Sequence, residues 1–353
     1  MTAVEKLGFV ERFLTLWIFL SMLIGVLLGY YVPEVKDRLG SSKFADVNIP
    51  MAVGLIWMMY PILCKVRYEM LHKVMATKQV WKDIGYSVII NWLVAPLIMV
   101  ILGWATLPDL VEYRSGLVLV GTARCIAMVL VWNRLAGGDE EFCAIVVAIN
   151  SMLQIGLYGP LSYLFVVIFS RGTHMGISMW PVVQSVLVFL GIPLGGAVFT
   201  RLVLYKISPT FYDKKFIRIL APTSLLALLF VIIIMFAMQG HEIVTNIKTV
   251  LRVIVPLLVY FTFMFFSVLA FCYYFCVPYK LTVVQSFTAA SNNFELAIAV
   301  AASVYGEASK EAMAATIGPL VEVPVLLAFV HVLLFIKSNW YDRKTELCGC
   351  KED

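Results

Sequence analysis

Ten apolar runs, each long enough to cross a lipid bilayer as a helix, leave this 353-residue chain almost no room for a soluble domain. A hydrocarbon core about 30 Å thick is crossed by roughly 20 helical residues at ~1.5 Å each. The runs are 13–32, 46–64, 84–106, 113–135, 142–169, 180–203, 216–238, 249–277, 282–305 and 312–336. Hydrophobic residues make up 61% of the chain and charged residues 14%. Soluble domains carry about 25% charged residues, so a soluble enzyme is excluded. The 27 Lys and Arg against 22 Asp and Glu give a net charge of +5, but the basic residues sit in short gaps between apolar runs and build no nucleic-acid face. The sparse charge also excludes disorder, and fibrous Gly-x-y or heptad repeats are absent. The short segments of alternating polarity expected of an outer-membrane barrel are missing too, so an all-α, multi-pass membrane fold is expected. The first run is full length with no small-residue cleavage site after it, so it is read as a retained span rather than a signal peptide.

Orientation follows from Lys and Arg. With the N-terminus in the cytoplasm, eighteen of the 27 fall on that side and eight outside, while Arg124 falls in mid-membrane. The positive-inside rule therefore expects a cell-membrane protein with both termini cytoplasmic. Cys64, Cys143, Cys272, Cys276, Cys348 and Cys350 all fall at or near the cytoplasmic face, where a reducing compartment tolerates thiols. The Cys348-Gly349-Cys350 tail is the best of them for soft-ligand capture.

The chain matches itself at a shift of 168. "GDEEFCAIVVAINSMLQ" from Gly138 meets "GEASKEAMAATIGPLVE" from Gly306, so that Gln154 faces Glu322 and Cys125 faces Asn293. This divides the chain into a first five-span repeat (1–172), a second (173–338) and a tail (339–353). Five is odd, so the second copy enters the membrane from the opposite side. Inverted repeats of this kind are typical of secondary transporters, where two interrupted helices cross near the midplane and expose backbone groups to substrate and ion.

Spans four and nine are the candidates for the interrupted pair. Span four centres on Gly121, Thr122, Arg124 and Cys125, and span nine on Ser291, Asn292, Asn293 and Glu295. A buried Arg costs roughly 2.5–3.5 kcal/mol on insertion scales and a carboxylate is similarly expensive, so neither is expected to face lipid. Arg124 and Glu295 either pair to hold two helices together or belong to a binding site. Small and polar residues just before each charge suggest unwinding, which favours the site. Spans five and ten add Asn150, Ser151 and Gln154, and Glu322 between Pro319 and Pro324, where a kink is expected. Pro61, Pro96, Pro193 and Pro256 read as kinks or packing. The four histidines form no HExxH pair, and no Gly-x-Ser-x-Gly turn or phosphate loop is present, so neither a metal, a cofactor nor an enzymatic activity is expected.

"YPILCKVRYE" from Tyr60, "GTARCIAMVLVWN" from Gly121, "ASNNFELAIAVA" ending at Ala301 and "GPLVEVPVL" from Gly318, taken together, resemble the arsenite efflux permeases of the arsenical-resistance-protein-3 family, within the bile acid/sodium symporter superfamily. The resemblance runs from the first span to the tenth. It implies ten spans in two inverted repeats and export of arsenite, with antimonite in some members, in exchange for protons. It also implies that the Cys of span four and the Glu of span nine, here Cys125 and Glu295, are required, and more loosely that Glu322 and the polar residues of spans five and ten belong to an ion site.

Arsenous acid is a neutral, hydrogen-bonding trihydroxide with a thiophilic centre. One thiol gives selectivity, whereas three would bind too tightly for release. The expected substrate contacts are Cys125, Arg124, Glu295, Asn292 and Asn293. Proton coupling is assigned to Glu295 and Glu322, and polar support to Thr122, Asn150, Ser151, Gln154 and Ser291. Two alternatives stand beside this: a sodium-coupled symporter of an organic anion, using Asn292, Asn293, Gln154 and Glu322 as oxygen ligands, and a membrane receptor. A thiol is out of place in a sodium site, and a receptor has no need of mirror-related access paths.

Overall fold

The computed structural model describes residues 13–32, 34–35, 39, 42–44, 47–66, 78–126, 128–170, 179–307 and 309–341. The expected boundary at 172 and the tail beyond 341 fall outside these residues. Helix α1 (Leu14–Tyr31) leads through a short hairpin, β1 (Lys43–Phe44) paired antiparallel with β2 (Val47–Asn48), into α2 (Ile49–Cys64). Helix α3 runs Lys78–Ile89, widens into a π turn at Ile90–Val94 and continues as Ala95–Thr106. Then come α4 (Val111–Thr122), α5 (Met128–Ala136) and α6 (Glu140–Tyr163, extended by Leu164–Phe169). Helix α7 comprises Met179–Val186, a π turn at Leu187–Gly191 and Ile192–Ile207, and α8 comprises Pro209–Phe211, Tyr212–Phe216 and Ile217–Thr245. The chain closes with α9 (Ile247–Tyr274), α10 (Tyr279–Ala290), α11 (Phe294–Tyr305) and α12 (Lys310–Ile336, extended by Lys337–Tyr341).

Six of these helices are long and apolar enough to cross a membrane: Val80–Thr106, Glu140–Phe169, Trp180–Ile207, Pro209–His241, Ile247–Tyr274 and Lys310–Tyr341. Runs 13–32 and 46–64 form shorter helices, while runs 113–135 and 282–305 are each split in two, as α4 with α5 and α10 with α11. Helix α10 begins and ends 168 positions after α4, so the two broken runs have first halves of equal length, ending at the same place in the offset.

Proline shapes several helices. Pro96 and Pro193 each stand just after a π turn. The missing N–H and the ring's clash with the preceding turn open the helix there. Helix α12, by contrast, runs unbroken through both Pro319 and Pro324.

The helices sort into two bundles. Helix α8 packs along α1 and α2, and the second half of α7 lies on α2, making one. In the other, α4 and α11 pack on α12, α9 on α10 and α12, and α3 on α4. Glycines set the tightest contact of the first bundle. A Cβ at Gly29 would overlap the Ala237 carbonyl, and one at Gly240 would meet the Val26 carbonyl at 2.7 Å. Close backbone approach through small residues is how helices associate where no hydrophobic force drives them together. In the second bundle α10 and α11 are buried on nearly every face. Large apolar side chains such as Phe199, Leu202 and Phe263 are exposed on the outside, as suits a lipid-facing surface.

Candidate functional site

The site is built from two places where a helix stops and restarts. Helix α4 ends at Thr122, Ala123 is extended, and α5 resumes at Met128. Helix α10 ends at Ala290, Ser291 is extended, and α11 starts at Phe294. Local sequence favours both stops: Gly121 and Thr122 weaken the helix at the first, and at the second the side chains of Ser291, Asn292 and Asn293 compete with the helical backbone for hydrogen bonds.

A helix end leaves carbonyls without partners, and buried ones must find donors. Here each break supplies the other. Arg124 and Asn292 pair in an isolated antiparallel bridge. The Asn293 N–H donates to the Ala123 carbonyl at 3.0 Å, and Asn292 Nδ2 donates to the carbonyls of Val120 at 2.8 Å and Ala123 at 3.2 Å. The Asn293 side chain caps α11 by accepting from the Leu296 N–H at 3.1 Å. Glu295 therefore lies in the first turn of α11, at the positive end of the helix dipole.

Helices α6 and α12 close the cluster. Gln154 Nε2 donates to the Arg124 carbonyl at 2.8 Å, and its Oε1 accepts a long contact from Asn293 Nδ2 at 3.5 Å. Glu322 Oε1 accepts from the Ser291 hydroxyl at 2.5 Å and from the Asn292 N–H at 3.2 Å. The Cys125 thiol is buried beside the Ser291 hydroxyl, within electrostatic range of Glu322 and Glu295.

Arg124 is fully buried. Its Nη2 donates to the Gly121 carbonyl and, at 3.2 Å, to the Tyr260 hydroxyl. It makes no ion pair with Glu295, whose carboxylate instead meets the backbone N–H of its own residue in the first turn of α11. Arg124 Nε and Nη1 and Asn292 Oδ1 are buried and unpaired. Unpaired buried polar atoms are rare in folded proteins. Two donors and an acceptor of this kind next to a thiol and two carboxylates suit a small hydrogen-bonding solute.

The profile of the Sodium Bile acid symporter family matches residues 52–246. The chain is 42% identical over 340 residues to the arsenical-resistance protein Acr3 of Corynebacterium glutamicum, which covers 94% of this chain and 90% of that protein. The chain belongs to the Acr3 arsenical-resistance family. Another Acr3, from Alkaliphilus metalliredigens, is 32% identical over 340 residues, 93% of each chain. An uncharacterized transporter of Synechocystis sp. is 31% identical over 360 residues, 96% of this chain and 92% of that one. This Acr3-family chain is thus a multi-pass membrane transporter of the arsenical-resistance class.

The remaining expected site residues have simpler surroundings. The hydroxyls of Thr122 and Ser151 donate to the carbonyls of Val118 and Val147 within their own helices, each at 2.8 Å. Asn150 Oδ1 accepts from Trp92 Nε1 at 3.1 Å, and its Nδ2 is unpaired. Cys64, Cys143 and Cys272 are free and buried, while Cys348 and Cys350 lie outside the described residues. Among the described residues no group of three or more His, Cys, Asp or Glu is placed to hold a metal ion.

Three contributors escaped the sequence reading: Tyr260, which holds the Arg124 guanidinium, Trp92, which holds Asn150, and Phe294, whose ring lies against Gly318. Aromatic residues in a membrane chain are ordinarily assigned to the interfacial belt. The signal available was depth, because Tyr and Trp in the middle of a span carry a polar tip that needs a partner.

Proposed function

We propose that this chain exports arsenite from the cytoplasm in exchange for protons, with antimonite as a second substrate. The observation that carries the reading is the convergence of one buried thiol, one guanidinium with free donors and two carboxylates on paired helix breaks. The Acr3 relatives, named for arsenical resistance, support it. Under this reading the runs form ten spans in two inverted halves, and the equal offset of α4 and α10 supports that arrangement.

Cys125 supplies the soft contact. An As–S bond forms as one As–O bond of the trihydroxide breaks, the thiol proton leaving with the hydroxide as water, and water reverses the step on release. A single sulfur keeps the exchange reversible. Arg124 donates to the remaining arsenic hydroxyls, and Asn292 Oδ1 accepts from one of them. Glu295 takes up a proton from outside and gives it up inside as access alternates, with Glu322 as the second carboxylate of the site.

Arsenite uptake into everted vesicles under an imposed proton gradient tests the function, with a sodium gradient as the second arm because the matching family is described as a sodium symporter family. Flux driven by sodium alone would move the assignment to the symporter reading. Cys125→Ser should abolish flux while leaving the protein inserted. Glu295→Gln should stop gradient-driven flux yet retain arsenite binding; unchanged flux in that variant would remove the coupling role from Glu295.

A further inference from the structure

Away from the helix breaks, the two bundles meet at a second polar contact. Asn48 caps α2, its side chain accepting from the Met51 N–H at 2.8 Å, while its own backbone N–H donates to the Glu307 carboxylate. Glu307 belongs to the opposite bundle, in the turn between α11 and α12. On either side of Glu307, Gly306 has φ 96°, a conformation that side-chain-bearing residues rarely adopt, and Ser309 caps α12 by accepting from the Ala312 N–H at 3.1 Å. From α8, Gln239 Nε2 donates to the Glu307 carbonyl at 3.1 Å. One residue of the second bundle is thus gripped twice by the first, through its carboxylate and through its carbonyl.

Behind the grip, Met51, Met235, Met238, Gln239, Ala302, Glu307 and Ala312 enclose a cavity of about 10 Å³. That is about the space one water needs, far too little for an arsenic trihydroxide. The buried Gln239 Oε1 and Asn48 Nδ2 have no partner, so the contact is polar without being a binding site. It is a narrow seam. Helix α11 connects it to the site: Glu295 is in its first turn and Glu307 stands just past its last, roughly 18 Å away at 1.5 Å per residue.

We propose that Glu307 is a latch holding the two bundles shut on the extracytoplasmic side, and that release of substrate requires both of its hydrogen bonds to break. The proposal rests on the transporter reading, since an alternating-access protein must open this end during its cycle. Its chemistry needs no ligand at the seam. Breaking the latch shifts the population toward an outward-open form.

The test places a single reporter in the seam, Met238→Cys, in a chain whose other cysteines are replaced, and measures its labelling by a membrane-impermeant maleimide added to intact cells. Adding Glu307→Ala should speed labelling about tenfold, because a hydrogen bond to a charged group contributes about the free energy of a tenfold change in population. Gln239→Met, which removes the other bond and leaves Glu307 in place, should speed it by a smaller factor. Glu307→Gln keeps an acceptor for the Asn48 N–H and should label near the parental rate. Equal rates in all four proteins, or acceleration only in everted vesicles, would overturn the latch. Labelling does not depend on the substrate, so a parent that fails to move arsenite would defeat the functional reading while the latch was still decided.

Discussion

The backbones of Arg124 and Asn292 pair in a single antiparallel bridge that joins two broken helices where each has lost its own hydrogen bonds. Every expected substrate contact lies within three residues of that bridge. The bridge is reinforced by side chains, above all by the two bonds from Asn292 Nδ2 to the carbonyls of Val120 and Ala123.

Asn292→Ala should therefore destabilise the protein by about 1–3 kcal/mol, the contribution of two buried hydrogen bonds, while the Val120 and Ala123 carbonyls keep the N–H groups of Ala123 and Asn293. Thermal unfolding in detergent measures this. A variant as stable as the parent would mean that the backbone bridge alone holds the breaks together.

Gly318 is required by its neighbour rather than by its own backbone. A Cβ there would fall inside the ring of Phe294, the first residue of α11. Gly318→Ala should displace Phe294 and cost about 1–3 kcal/mol of overpacking, lowering arsenite flux as Glu295 moves with the start of the helix. Phe294→Leu in the same chain should recover much of both losses. Simply additive losses in the double variant would show that the two residues do not communicate.

Arg114 is a buried cation whose acceptors, among the described residues, are all neutral. It donates to the carbonyls of Leu107, Pro108 and Ser170 and to the Ser170 hydroxyl, at 2.8 to 3.2 Å, and lies 3.8 Å over the Trp104 ring. The planar fork spans the ends of α3 and α6 as an ammonium cannot. Arg114→Lys should lower stability by about 2 kcal/mol or more, read as a drop in melting temperature and in inserted protein. A full-stability lysine variant would show that charge, and not the fork, is what the position needs.

At the surface, Arg252 Nη2 lies 2.6 Å from Asp109 Oδ1. The hydrogen bonds from Arg252 hold the Asp109 carboxyl down at about 2. A lowered folded value means that the stabilisation is present above pH ~4, the ordinary aspartate range, and is lost as pH falls through about 2. The pair is exposed and screened by salt, so the effect is small. Melting curves of the parent and Asp109→Asn should differ slightly at neutral pH in low salt and converge as pH approaches 2. A gap that widened on acidification would contradict this sign.

The interrupted runs were legible because their causes are local. Gly, Ser and Asn next to a charge in an apolar stretch weaken a helix wherever it is placed, and Asn293 is a cap residue by chemistry. What Arg124 reaches was not legible. Charge alone suggested Glu295, yet its Nη2 is held by Gly121 and by Tyr260 from α9, 136 positions along the chain. The unbroken course of α12 through two prolines was also hidden, since packing on α4, α9 and α11 sustains a helix that proline weakens.

By itself, then, the sequence determined the membrane class, the helical runs and the two places where they break, because a bilayer demands apolar length and satisfied backbone groups, both written in local composition. The tertiary structure decided which broken end meets which, that Glu322 rather than Glu295 anchors the break between α10 and α11, and that Glu307 joins the two bundles. Those choices turn on directed hydrogen bonds between residues far apart in the chain, whose lengths and angles exist only once the helices are packed.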